Sequence, residues 1–313
     1  MKIIGRHAVS FLLFLWIFST ISFLLINLAP GDPASTILRA EDVAVTQQQL
    51  NEVRQELGMN DSIFEQYTAW LGSFLLLDWG TSYVTQEPAF MMIMRALPAT
   101  IYISAGAFLT AAVIAVPIGA AAALHRGSWI DKSGRLLAVT GASVPSFLIG
   151  LVLIQLFAVQ LGWLPAIGAG TWWHLLLPSL TLGIGMASFY IRLIRSSFLE
   201  ALEEPSLRAV SARGISEQKL RWKYTFRAAL VPVISVLGVS ISSLIGGTVV
   251  IEVVFGYPGA GSLIVDSITR RDIPVIQGYT VLMAAAVSLI QLSNDLLLRW
   301  IAPNRGTEGR VFE

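Results

Sequence analysis

LLAVTGASVPSFLIGLVLIQLFAVQLGWLPAIGAGTWWHLLLPSLTLGIGMASFYI, residues Leu136–Ile191, runs for 56 positions without an Asp, Glu, Lys or Arg. A helix that crosses a bilayer needs about 20 apolar residues. The stretch is too long for one crossing and long enough for two. Gly162, Pro165, Gly168 and Gly170 interrupt it, followed by Trp172, Trp173 and His174. A Gly/Pro break bearing tryptophan fits a short turn at the membrane interface, where indole rings collect. Two spans separated by such a turn are therefore expected.

Working outward, uncharged stretches recur at 8–31, 96–124, 228–251 and 273–294. Together they predict an all-α integral membrane protein with six transmembrane helices, at 8–29, 99–124, 136–160, 175–194, 231–254 and 276–301. Composition agrees. Of 313 residues, 55% are hydrophobic and 13% charged, and the mean hydropathy is +0.69. A soluble domain carries about 25% charge, whereas a chain surrounded by lipid needs less. The net charge of +1 gives no reason to expect a nucleic-acid partner. With no cysteine, disulfides and thiol chemistry are excluded. The first apolar stretch follows Lys2 and Arg6, is longer than a signal-peptide core and leads to no small-residue cleavage site, so it reads as a retained span.

Basic residues orient the spans. With the N-terminus inside, 16 of the 21 Lys and Arg fall in inner segments, and only Arg39, Arg54, Arg95, Arg270 and Arg271 fall outside. The excess of Lys and Arg on the cytoplasmic side then predicts that both termini are cytoplasmic. Inside the membrane, Ala107, Ala111, Ala115, Gly119 and Ala123 recur every fourth residue, as do Gly238, Ser242 and Gly246. Such stripes let helices approach closely. Packing within the subunit is the favoured reading, and a dimer or pore-lining face the sharper one.

The outer segment after the first span is expected to be helical. Thr46 with Gln49 makes a capping box and Gly58 a stop signal. A second helix starts after Asp61 and carries Phe64, Tyr67, Trp70, Leu71 and Phe74. The inner segment, residues 192–227, holds eight basic and four acidic residues. It reads as a helix around Pro205–Arg213, a break at Gly214, then a second helix capped by Ser216 and running through Trp222 and Phe226. Leu207, Val210, Leu220 and Trp222 alternate with charges, a pattern that suits docking to a partner better than a solvated loop.

Chemistry-bearing motifs are scarce. Gly-Lys does not occur, so the usual ATP phosphate loop is absent. His7, His125 and His174 are far apart in sequence, and no metal site of ordinary spacing is expected. Met91, Met92 and Met94 suit packing better than metal binding. No nucleophile–base pair is visible, and no catalytic residue is assigned. Glu252 and Asp295 are acids in or beside late spans and stand as candidate gating or pathway residues, together with Gly246 and Gly247.

The run EPSLRAVSARGISEQKLRWKYTFRAALVPVIS, residues 204–235, resembles the coupling segment of ABC-importer permeases, specifically the peptide/nickel family. NLAPGDPA, QYTAWLGSFLLLDWGTSYVTQEP, ALPAT and IGGTVVIEVVFGYPGAGSLIVDSITRRDIPVIQG reinforce the likeness, which runs from about Lys2 to Pro303. The resemblance implies a first transmembrane helix at 1–30, an extracytoplasmic helical loop at 31–95, an importer core at 96–302 with its coupling loop at 195–230, and a cytoplasmic tail at 303–313. It implies ATPase coupling through Glu204, Pro205, Arg208, Ala209, Ala212 and Gly214. It also implies a second permease, two ABC ATPase subunits carrying ATP and Mg2+, and an extracytoplasmic substrate-binding protein, in the bacterial inner membrane. No cofactor is expected on this chain. Arg208 stands where the wider superfamily has Glu, as is usual in this branch. GTSYVTQEP and LPAIGAGTWWH look more like nickel or metal-chelate permeases than dipeptide ones, with peptides the alternative cargo. A secondary transporter or channel would need a buried ion pair or helices broken at midspan. A membrane enzyme would need a polar catalytic cluster, and a structural scaffold would not need the helix–Gly–helix inner loop.

Overall fold

The computed structural model describes residues 2–28, 46–56, 58, 60–205, 216–219 and 224–301. Among them every regular element is helical, apart from an isolated bridge between Thr81 and Pro88. The helices are α1 (Lys2–Leu28), α2 (Gln47–Glu56), α3 (Ile63–Leu75), α4 (Ala89–Leu124), α5 (Trp129–Ser143), α6 (Ser146–Leu153), α7 (Trp173–Glu203), α8 (Phe226–Val254), α9 (Ala260–Arg270) and α10 (Ile273–Ile301). A single helical turn, Glu217–Lys219, lies between α7 and α8.

Among the described residues, α4, α7, α8 and α10 are long and apolar enough to cross a bilayer, and α1 contains a shorter apolar stretch, Phe11–Leu25. The span expected at 136–160 is bent. It is two limbs, α5 and Ser146–Gln160, that meet at 101°. Val144 is extended (φ −95°, ψ 126°), and Pro145 follows it. A proline ring excludes the α conformation from the residue before it and cannot donate to the helical ladder. The second limb ends as a π-helix, Ile154–Gln160. The expected turn follows, with Gly162, Gly168 and Gly170 at φ 63°, 101° and 131°, where only a residue without Cβ is unstrained.

The chain divides into two compact units. The first comprises residues 1–99 and 258–288. Helices α2 and α3 start where the sequence indicates. Thr46 and Gln49 exchange capping bonds of 3.0 and 3.4 Å before α2, and Gly58 sits at φ 64°. Ser62 and Glu65 form a second capping box at α3, with bonds of 2.9 and 3.3 Å. The hydrogen bonds from Ser62 hold the exposed Glu65 carboxyl below its ordinary pKa. Aromatic rings then run from Phe23 of α1 through Tyr67, Trp70, Phe74 and Trp79 to Phe90 of α4, with centroid separations of 4.8–6.1 Å. Met92 and Met94 pack around buried Ala89, Ile93 and Val275, as the packing reading expects. The buried Asp272 carboxylate accepts hydrogen bonds from the Ser82 hydroxyl and from the Tyr83 N–H at 3.0 Å, shaping the 80–88 loop.

The second unit comprises residues 100–257 and 289–313. Helix α7 lies at its centre, packed against α5, α6 and α8. The first small-residue stripe is buried inside the subunit: Ala107, Ala111, Ala115 and Ala123 are at most 2% exposed. A Cβ on Gly119 would come within 2.9 Å of Ile194 and 3.0 Å of the Ile191 carbonyl on α7. The second stripe divides. A Cβ on Gly238 would come within 2.8 Å of Asn294, and Ser242 accepts a 3.3 Å hydrogen bond from Gln291, so this end seals α8 to α10. Gly246, by contrast, faces open space.

Candidate functional site

Helix α7 delivers the chain to the segment expected to couple to the ATPase. It ends at Glu203. Glu204 is extended (φ −67°, ψ 130°), and exposed Pro205 follows. A proline after an extended residue lets the chain leave the α7 axis. Arg208, Ala209, Ala212 and Gly214 lie outside the described residues. The return is anchored near the departure point: Phe226, at the start of α8, packs edge-on to Phe198 of α7 at 5.9 Å. Ala201, Tyr224 and Ala229 join the same apolar cluster. The end of α7 and the start of α8, which flank residues 206–223, are therefore fixed to one patch of core.

Beside that patch sits an ion pair that sequence reasoning missed. Asp131, in the first turn of α5, is 1% exposed. Its carboxylate accepts from Arg195 Nε at 2.6 Å and Nη2 at 3.0 Å, a two-pronged contact. The Gly127 N–H adds a third hydrogen bond at 3.0 Å, and Arg135 lies 3.5 Å away one turn on. Arg126 reaches Glu203 at 3.1 Å, with both side chains largely exposed. The sequence shows Arg195 and Arg135 only as part of the basic excess. The one signal for their partner is an acid at the foot of an apolar stretch.

The four gating candidates are not gathered into one site. Glu252 is 0% exposed and accepts a 2.6 Å hydrogen bond from the Thr100 hydroxyl. It is enclosed, not reaching out to the interface. Its own carbonyl accepts from the Tyr257 N–H at 2.8 Å, and the Phe255 carbonyl from the Gly168 N–H at 2.9 Å. The end of α8 is thus tied to the Gly-rich turn before α7. Asp295 is exposed on α10, Gly246 faces open space, and a Cβ on Gly247 would make ordinary contact with Leu182 at 3.6 Å. Among the described residues no three His, Asp or Glu side chains are placed to hold a metal ion.

Comparison with known proteins agrees with this architecture. Residues 115–306 match the family described as binding-protein-dependent transport system inner membrane component, and residues 1–104 match that system's N-terminal membrane component. The chain is 40% identical to the glutathione transport system permease protein GsiC of Salmonella paratyphi A, covering 92% of this chain and 94% of that protein. The namesake from Escherichia coli strain K12 is 37% identical with the same coverage. Among solved structures, the inward-facing MetNI methionine ABC transporter matches 69% of this chain and 99% of its own with a TM-score of 0.58 and 20% identity, which speaks for the fold alone. A family model over residues 115–306 and relatives along nearly the whole chain, together with the all-helical architecture, establish that this chain belongs to the binding-protein-dependent transport system inner membrane component family, as the permease subunit of an ABC importer.

Proposed function

We propose that this chain is one of two paired permeases of an ATP-driven importer in the bacterial cytoplasmic membrane, and that its cargo is a small peptide of the glutathione class. The cargo rests on one observation: 37–40% identity, across 92% of the chain, with permeases named for glutathione transport. The chain crosses the membrane six times, counting α1 and the bent α5–α6 pair, with both termini in the cytoplasm. An outer binding protein presents the peptide. Two ATPase subunits, which hold ATP and Mg2+, grip the segment containing Glu204, Pro205, Arg208, Ala209, Ala212 and Gly214. Their closure tilts the attached spans, and access alternates from outside to inside. Glu252 braces the end of α8 while the open face around Gly246 and Gly247, with Asp295, lies toward the path or the second permease.

The metal-chelate reading draws on GTSYVTQEP and LPAIGAGTWWH. Both stretches have local structural work: Ser82 and Tyr83 bind Asp272, and Gly168 binds the end of α8. That is why the peptide reading is preferred. The test is competition in vesicles holding the complete complex. Uptake of radiolabelled glutathione should require ATP, persist when ion gradients are collapsed, and fall in the presence of excess dipeptide. Competition by a nickel chelate and not by peptides would replace the cargo. Gradient-driven uptake by the isolated chain would replace the mechanism.

A further inference from the structure

We propose that the buried Asp131–Arg195 pair welds α5 to the cytoplasmic end of α7, making the two helices one lever that carries motion of the 204–214 segment into the spans. The inference rests on the importer reading above and names positioning residues for it. The geometry is specific. Two guanidinium N–H groups meet the two carboxylate oxygens at 2.6 and 3.0 Å, which fixes orientation as well as distance. Asp131 is 1% exposed and Arg195 20%. Pulling α5 away from α7 would strip the buried carboxylate of its two charge-assisted hydrogen bonds and leave it only the Gly127 N–H and the exposed Arg135, a larger cost than breaking an exposed pair.

The surrounding backbone leaves no slack. A Cβ on Gly141 of α5 would collide with Ser188 of α7, and Gly119 of α4 lies against Ile191 and Ile194 of α7. Gly134 of α5 would meet Ala122 and Ile118 of α4 at 3.3 and 3.4 Å. From Arg195 to Glu203 helix α7 is unbroken, about 12 Å of rod at 1.5 Å per residue. Force applied at Glu204 therefore reaches α5 without a hinge. Arg126–Glu203, exposed on both sides, adds a second tie at the tip of the same rod.

The chain has no cysteine, so spin labels can be placed on cysteines introduced at Lys132 and Glu200, both exposed. In the complete complex in nanodiscs, with partners freed of cysteine, the wild-type pair should give one unchanged narrow distance without nucleotide and after vanadate trapping with ATP. In Asp131→Asn the trapped-state distance should broaden or split. ATPase subunits should still co-purify and hydrolyse ATP, while radiolabelled glutathione imported per ATP falls about fivefold or more. Arg195→Lys, which keeps charge but loses the fork, should fall between. A role in folding alone would lower the yield of complex and leave import per ATP unchanged, and that result would overturn the lever. So would a wild-type distance that changes on trapping, a measurement that needs no substrate. If Asp131→Asn does not assemble, Arg195→Lys and the wild-type distances decide. Absence of ATPase subunits from the purified wild-type complex would overturn the importer reading instead.

Discussion

At the residue scale, two buried acids differ in how they announce themselves. Glu252 stands alone in an apolar run, and that isolation marks it. What the sequence does not contain is that Thr100, 152 positions away, donates a hydrogen bond to it. Thr100→Val keeps the volume and removes the donor to a fully enclosed carboxyl. Losing a hydrogen bond to a charged acceptor costs about 1.5–3 kcal/mol. Thermal unfolding of the purified complex should shift down accordingly, and an unchanged midpoint would mean that the 2.6 Å contact contributes nothing. Asp131 is harder to see. It sits among Lys132 and Arg135, where it reads as one more solvated charge, and only the fold brings Arg195 to it from 64 residues away.

At the element scale, period-four small residues were legible, but their destination was not. Both stripes read alike, because a stripe of Ala, Gly and Ser says that something comes close without saying what. In the fold, Gly119 is pressed by Ile194, while Gly246 meets nothing within 4 Å. Gly119→Val must displace a β-branched side chain and a backbone carbonyl, and overpacking of that kind costs about 1–3 kcal/mol. It should lower the yield and melting point of the chain. Gly246→Val should leave melting of the isolated chain unchanged, within about 0.5 kcal/mol for a site without neighbours. If it lowers import in the complex, the open face is in use, and if Gly246→Val melts as early as Gly119→Val, the distinction between the two faces fails. The 101° break between α5 and α6 was half legible. Pro145 was visible in an apolar run, but hydropathy counts residues and carries no direction. The same blindness shortened α4. Arg95 closed the apolar window near residue 96, yet it lies exposed beside Glu87 at 3.3 Å and the helix continues past it to Ala89.

At the scale of the whole molecule, what remains is how energy enters a chain without a phosphate loop. The ends of the 204–225 segment are fastened to one cluster through Phe198 and Phe226, so a push on the segment cannot be absorbed by splaying α7 from α8. In the mechanism proposed above, it is passed on as tilt. Gly214 is proposed to form the turn of the coupling segment, where a β-branched residue would cost backbone freedom that glycine has. Gly214 lies outside the described anchoring cluster and outside α7. The expected outcome is a complex that assembles and melts like wild type but imports little radiolabelled glutathione, with ATP hydrolysis no longer stimulated by the loaded binding protein. Normal import by Gly214→Val would mean that the drive enters elsewhere. Loss of assembly together with loss of import would mean that the segment holds the partners together and does not turn their motion into transport.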